Sequence, residues 1–203
     1  TPMKLSVQHL ERSLAKEPEN RDAKIQDFKT KMIQQIDLLS NIATEFSNFA
    51  ELPKTNFKNT NIYKLINSTV NLFKSNRFKV SIDYQEDAPL MISADEHQLI
   101  RVFNNLIQNS IQSFINKGEI TIKINKKNEW VIIKFIDNGS GIPKEYVNKI
   151  FEPNFTTKSN GKGLGLAMVN QIIKSHNGLI ELVSSSKKGT CFLISIPLNP
   201  ENE

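Results

Sequence analysis

Apolar positions over the first fifty residues recur at helical spacing. Met3, Val7, Leu10 and Leu14 stand four, three and four apart, which predicts a single apolar stripe on a helix over residues 1–16. Glu17-Pro18-Glu19-Asn20 breaks it. From Asp22 to about Glu51 the repeat becomes seven. Ile25, Met32, Leu39 and Phe46 lie on one line and Phe28, Ile42 and Phe49 on another, with Gln35 interrupting the seam. A strict seven-residue repeat predicts coiled-coil-like packing. Two such helices bury too little by themselves, so a partner hairpin completing a four-helix bundle is expected. The alternative is a helical appendage packed on the domain that follows.

Pro53, within Leu52-Pro53-Lys54-Thr55-Asn56, stops the helix and marks a linker. The pattern beyond it predicts a helix at about 60–75, a strand over 77–84, a short strand near 90–93 and a helix over 95–116. A hairpin follows, 119–126 and 129–137, turned at Lys127-Asn128, where Val131, Ile133 and Phe135 alternate with polar neighbours. A helix at about 163–176 and two closing strands, 178–185 and 190–197, complete the pattern. Helices and alternating strands without a βαβ rhythm predict an α+β sandwich, a mixed sheet with helices on one face.

Composition narrows this little. A chain of 203 residues, 38% hydrophobic and 23% charged, suits an ordinary soluble protein with one good core and a smaller element. The net charge of +5 comes from scattered lysines with no basic block interleaved with aromatics, so no nucleic-acid partner is expected. One cysteine, Cys191, forbids an internal disulfide and suits a reducing compartment. The longest apolar run, Trp130 to Ile136, is too short for a bilayer. With no signal peptide and a start inside a helix, the sequence reads as a piece of a longer protein.

Candidate chemistry gathers between Asp137 and Gly165. Asp137-Asn138-Gly139-Ser140-Gly141 opens the stretch and Gly161-Lys162-Gly163-Leu164-Gly165-Leu166 closes it. The second turn leads into an apolar-periodic helix (Leu166, Val169, Ile172, Ile173), whose free N–H groups favour phosphate. No P-loop string is present, and the glycine spacing departs from the dinucleotide fingerprint. Asp137 also fits a plain turn at a strand end. On the helix over 95–116, Leu99, Val102, Phe103, Leu106, Ser110 and Phe114 form the buried face. Asn105, Asn109 and Gln112 fall on one flank, within about 60° of each other. That flank is either a solvated surface or a set of amide oxygens offered to a hard cation such as Mg²⁺.

Taken together, these pieces resemble the ATP-binding domain of sensor histidine kinases, a superfamily shared with type II topoisomerase subunits, Hsp90 chaperones and MutL repair proteins. Asn105-Leu106-Ile107-Gln108-Asn109 resembles the N box and Asp137 to Gly141 the first glycine box. Phe151 to Lys158 resembles the F box and Gly161 to Leu166 the second glycine box. Gly189-Thr190 resembles the minor closing motif. Four motifs in the family's order, over roughly residues 58–198, are specific where one alone is not. Thr1-Pro2-Met3-Lys4-Leu5 and Glu45-Phe46-Ser47-Asn48-Phe49-Ala50 resemble the dimerisation and phosphotransfer hairpin of the nitrogen-regulation subgroup. There the phosphoacceptor histidine stands about two turns before the position of Thr1, so this chain is expected to start after it.

The resemblance implies an organisation and a site. Residues 1–52 would form the truncated hairpin, half of a dimeric four-helix bundle. Residues 53–57 would be the linker, 58–198 an ATP-binding sandwich of the Bergerat type, and 199–203 a tail. Asp137 would accept a hydrogen bond from the adenine amino group. Asn109 would hold Mg²⁺ against the phosphates, with Asn105 beside it. Gly139 and Gly141 would let the chain pass close to adenine, and Ile142 and Thr190 would also bind the nucleotide. Gly163 and Gly165 would leave their backbone amides free for phosphate. Phe155, Thr156, Thr157, Gly161, Leu164 and Leu166 would also bind the nucleotide, and Lys158 and Lys162 would neutralise phosphate charge. Residues 142–162 would be a mobile lid anchored by Phe151 and Phe155.

ATP-hydrolysing cousins carry a water-activating glutamate at the position of Asn105, and an amide is no general base. The resemblance therefore implies a cytoplasmic homodimeric kinase using ATP and Mg²⁺. It would pass phosphoryl to a histidine and on to a response-regulator receiver domain, within a parent protein that the resemblance alone attaches to a membrane. Two rivals stay open: an ATP hydrolase with a nucleotide-driven clamp, and a non-catalytic nucleotide-sensing dimerisation module. None of the three histidines is expected to accept phosphate. His9 reads as solvated, His97 as a surface residue, and His176 as scaffold at a helix end that favours a cation.

Overall fold

In the computed structural model the described residues are 5–10, 12, 21–50, 55–73, 75–158 and 163–199; the side chains of residue 38 and residues 41–50 are not among them. The chain divides into two compact units, Thr1–Glu51 and Leu52–Glu203. In the first, residues 5–10 are helical (α1) and Arg21–Ala50 forms α2. Along α2, Met32 and Phe28 are half-buried, whereas Ile25, Ile33, Ile36 and Leu39 stay exposed. The expected positions Met3, Leu14 and the 17–20 break lie outside the described residues, as do the side chains of Ile42, Phe46 and Phe49.

The second unit is built by alternation. In β4 (Gly118–Lys127) the side chains of Ile120, Ile122 and Ile124 are buried, and in β5 (Trp130–Asp137) those of Val131, Ile133 and Phe135. In β7 (Gly189–Pro197) Phe192, Ile194 and Ile196 point the same way. Period-two burial of this kind gives each strand one apolar face. With β2 (Phe78–Tyr84) and β6 (Leu179–Ser186) the sheet runs β2-β4-β5-β7-β6; β2 pairs with β4 in parallel and every other pair is antiparallel. Three helices supply the rest of the core: α3 (Ile62–Val70), α4 (Glu96–Ser113) and α5 (Gly165–Ser175). The mixed sheet and helical layer are the α+β sandwich expected from the sequence.

Several boundaries differ. The helix expected from residue 60 is preceded by a strand, β1 (Lys58–Asn61), paired antiparallel with β3 (Met91–Ala94). Lys58-Asn59-Thr60-Asn61 has no apolar alternation, and it becomes a strand because β3 offers an edge and Thr60 can be buried against it. Asn61 then caps α3, its Oδ1 accepting from Lys64 N–H at 2.9 Å. That helix stops at Val70 rather than 75, with tight turns from Leu72 and Phe73 N–H back to Thr69 and Val70. Ending the helix there leaves Leu72 in solvent.

Helix α4 ends at Ser113 instead of 116, because Phe114 turns to extended backbone and packs on Phe78. Its buried face also takes in Gln98 and Ile107, while Phe114 is only partly buried. The hairpin turn is Asn128-Glu129, one residue later than expected, with Asn128 in the left-handed region at φ 54°. Helix α5 starts at Gly165, two residues after the expected point.

Candidate nucleotide site

The buried face of the sheet turns polar at one end. Asp137 and Thr190 are register partners at the ends of β5 and β7, continuing the rows Val131-Ile133-Phe135 and Ile196-Ile194-Phe192. Both are buried, Asp137 being 8% exposed. The Asp137 carboxylate is held from three sides. Ser110 Oγ donates to Oδ2 at 2.9 Å, and the N–H groups of Gly139 and Thr190 donate to Oδ1 at 2.9 and 3.2 Å. The Gly139 contact is the turn expected of a strand-end aspartate. Oδ2, with one protein donor, retains acceptor capacity for a ligand N–H.

The loop after Asp137 is stitched down on three elements. Asn138 exchanges two hydrogen bonds with Glu119 of β4, through its N–H at 3.1 Å and its Oδ1 at 2.8 Å. Ser140 N–H donates to Ser113 O at the end of α4, and Ile142 N–H to Ser185 Oγ in β6. Gly141 has φ +74° and lies on the Ser186 carbonyl, so a side chain there meets both backbone strain and a clash.

The amide flank of α4 lies on the same helix as Ser110. Asn105 turns its Nδ2 back to Arg101 O at 2.9 Å, and its Oδ1 faces the start of α5, 2.7 Å from where a Cβ on Gly165 would stand. A side chain at Gly165 would push the Asn105 amide aside. Among the described residues no side-chain cap bond closes the start of α5, whose N-cap position is Leu164. Asn109 Oδ1 and Gln112 Oε1 both accept from Lys158 Nζ, at 3.1 and 2.6 Å. Lys158 is exposed as a residue, yet desolvation of its ammonium end lowers its pKa from the ordinary lysine value.

Residues 143–155 form consecutive tight turns around a short 3-10 helix, Lys144–Tyr146. Ile150 is buried in the core, Phe151 meets Phe192 edge-on at 6.2 Å, and Phe155 packs on Tyr146 at 5.5 Å. Thr156 and Thr157 are exposed, Leu164 is buried, and Gly163 lies against the backbone of Asn154 and Phe155. Leu166 is half-buried against the core. Gly161 and Lys162 lie outside the described residues.

The structure thus brings Asp137, Gly139, Gly141, Ile142 and Thr190 to one end of the sheet, and Asn109 and Lys158 into contact. Gln112 shares the lysine although the resemblance gives it no role; its place on the amide flank was the available signal. Ser110, read only as a core position, fixes Asp137. Arg101, one turn before Asn105, reaches across to Met168 of α5.

Among the described residues no group of three or more His, Cys, Asp or Glu is placed to hold a metal. A cation here would be held by amide oxygens and by the phosphates of a bound nucleotide. Asn109 fits that role, because its Oδ1 already points at a cationic group.

His9 and His97 are exposed. His176 is not the cation expected at its helix end. It is buried, burial lowers its pKa, and its Nε2 accepts from Asp95 N–H at 3.0 Å while Nδ1 lies 2.8 Å from Ile172 O. An imidazole that accepts at Nε2 and donates at Nδ1 is neutral. Asp95 caps α4 through Gln98 N–H and also accepts from Asn56 N–H of the linker. Burial by itself would raise the Asp95 pKa, but the backbone donors Asn56, Gln98 and His97 outweigh it and bring it below the usual value.

A five-stranded α+β sandwich with a fixed carboxylate at its sheet end and an amide-lined helix beside it defines a class of nucleotide-binding domain. Residues 94–200 match the family described as histidine kinase-, DNA gyrase B-, and HSP90-like ATPase. The chain belongs to that family. It is 30% identical over 190 residues to the nitrogen regulation protein NtrY of Azorhizobium caulinodans, covering 90% of this chain and 24% of the relative. The solved catalytic domain of histidine kinase ThkA is 31% identical with a TM-score of 0.64, over 73% of this chain and 99% of that one. ThkA in complex with response regulator protein TrrA shares the fold at a TM-score of 0.69 and 23% identity, over 100% of this chain and 60% of that one. The chain spans about a quarter of the length of NtrY.

Proposed function

We propose that this chain is the catalytic region of a sensor histidine kinase, which binds Mg·ATP and passes the γ-phosphoryl group to a histidine. The observation that carries this is the fixed Asp137 carboxylate, held by Ser110 of the same helix that presents Asn105 and Asn109. The adenine-side carboxylate at the end of β5 is thereby tied to the helix that presents the amides. Asp137 Oδ2 accepts the adenine amino group; Gly139, Gly141, Ile142 and Thr190 shape that end. The uncapped start of α5, with Gly163, Leu164, Gly165 and Leu166, receives phosphate. Thr156, Thr157 and Phe155 border it together with Gly161 and Lys162. Lys158 supplies positive charge, and Mg²⁺, when bound through Asn109, neutralises the phosphates. Catalysis is positioning and charge neutralisation, as in other phosphoryl transfers.

Asn105 favours kinase over hydrolase. Its amide is no base, and its nitrogen is committed to Arg101 O. The receiving histidine stands in a segment that leads into the helical hairpin of residues 1–52, and that hairpin pairs with a second copy. The exposed row Ile25, Ile33, Ile36 and Leu39 on α2 supports that homodimer. Residues 53–57 are the linker, 58–198 the ATP-binding domain and 199–203 the tail. The onward acceptor is an aspartate on a response-regulator receiver domain, which the complex of ThkA with its regulator supports. Among the described residues no helix is long and apolar enough to cross a membrane; the cytoplasmic setting of the reaction rests on the family resemblance. The test is radiolabelled ATP with a chain extended upstream of Thr1. Acid-labile, base-stable phosphate is expected, and acid-stable label or release of free phosphate alone would sink the proposal.

A further inference from the structure

We propose that Gln112 is a positioning residue of this site: with Asn109 it forms a two-amide seat that holds the Lys158 ammonium until a metal-nucleotide arrives. This rests on the nucleotide reading above and goes beyond it. Asn109 and Gln112 stand three residues apart on α4, so their side chains are neighbours on one face. Both oxygens point at one ammonium, and the Gln112 contact is the shorter, 2.6 against 3.1 Å. The lysine comes from far along the chain, at the end of the turn-rich segment after Phe155. The contact therefore ties that segment to the helix.

An ammonium and a divalent ion do not share Asn109. Two unit charges at 4 Å repel by about 1 kcal/mol in water and about 4 at a partly screened surface, and a divalent ion doubles that. Metal binding at Asn109 consequently expels Lys158, and the phosphates are the nearest opposite charge to receive it. Gln112, one turn further along, accepts the lysine without being needed by the metal. The seat stores the lysine within reach of the phosphates and sets a threshold on the magnesium needed for binding.

Two measurements test this on the whole chain. The first is brief acetylation with acetic anhydride in the absence of nucleotide, with Lys158 modification read by mass spectrometry. Lys158 is expected to be protected. Gln112→Ala, at an exposed position, should raise its labelling by about tenfold, the worth of one charge-assisted hydrogen bond. Gln112→Glu should restore protection. Equal labelling in wild type and Gln112→Ala overturns the seat.

The second is the Mg²⁺ concentration that half-saturates ADP binding, by calorimetry. Gln112→Ala should lower it when Lys158 is present and leave it unchanged in a Lys158→Met background. The same shift in both backgrounds overturns the exchange. A wild-type chain that binds no Mg·ADP overturns the function proposed above, whereas the labelling result judges the seat independently.

Discussion

Asp137 carries two duties that pull a mutant in the same direction. Its carboxylate closes the turn through Gly139, takes Thr190 N–H and takes the Ser110 hydroxyl, so an amide in its place sets NH₂ against a donor. Asp137→Asn is expected to lower unfolding stability by about 1–3 kcal/mol in chemical denaturation, the cost of a buried donor left unsatisfied. Well below its midpoint the folded variant should bind ADP more than tenfold more weakly, since the acceptor for the adenine amino group is compromised as well (about 1.4 kcal/mol per tenfold). Lost stability with unchanged affinity would reduce Asp137 to a turn residue. Asn109 is the cleaner probe, because its contact is with a side chain at the surface. Asn109→Ala should leave magnesium-free ADP binding intact and abolish the increment that magnesium adds. Titrations with and without chelator separate the two, and a surviving increment removes the metal role.

Strands and helices of the sandwich were legible where burial itself follows a period. The rows Val131-Ile133-Phe135 and Phe192-Ile194-Ile196 alternate because one face is covered and the other is not. The same logic placed Asp137 at a strand end and, at helical period, Asn105, Asn109 and Gln112 on one flank of α4. What escaped notice depends on partners distant in sequence. Strand β1 is polar and exists because β3 lies beside it. Gln112 acquires a partner 46 residues away, and His176 one 81 residues away. No local pattern announces such pairs.

His176 shows the consequence most clearly: local chemistry at a helix end favours a cation, but burial between α5 and the Asp95 cap favours the neutral ring. The sign of the pH effect follows. The folded pKa lies below the unfolded value near 6.5, so the unfolded chain takes up a proton first as pH falls. Stability from this group is complete above about pH 6.5 and declines as pH drops toward the lowered folded value. Denaturation midpoints at pH 7.5 and 5.5 should differ in wild type and converge in His176→Gln. An unchanged slope in that variant would place the pH sensitivity elsewhere.

The two units differ in what stabilises them. Leu52–Glu203 has a sheet, three helices and a continuous apolar core, and it folds around its own site. Among its described residues Thr1–Glu51 offers only helix, and α2 leaves Ile25, Ile33, Ile36 and Leu39 exposed. A unit this small buries too little to be stable alone, so its stability must come from association. Calorimetric melting should accordingly resolve two transitions. One should rise with protein concentration and ignore nucleotide. The other should be independent of concentration and move up with Mg·ADP, by about 2.7 kcal/mol when the free ligand is a hundred times its dissociation constant. In Asn109→Ala the second should move much less at equal nucleotide concentration, while the first stays where it was. A single transition that follows both protein concentration and nucleotide would mean that hairpin and sandwich unfold as one body, and separate stabilisation of the two units would have to be abandoned.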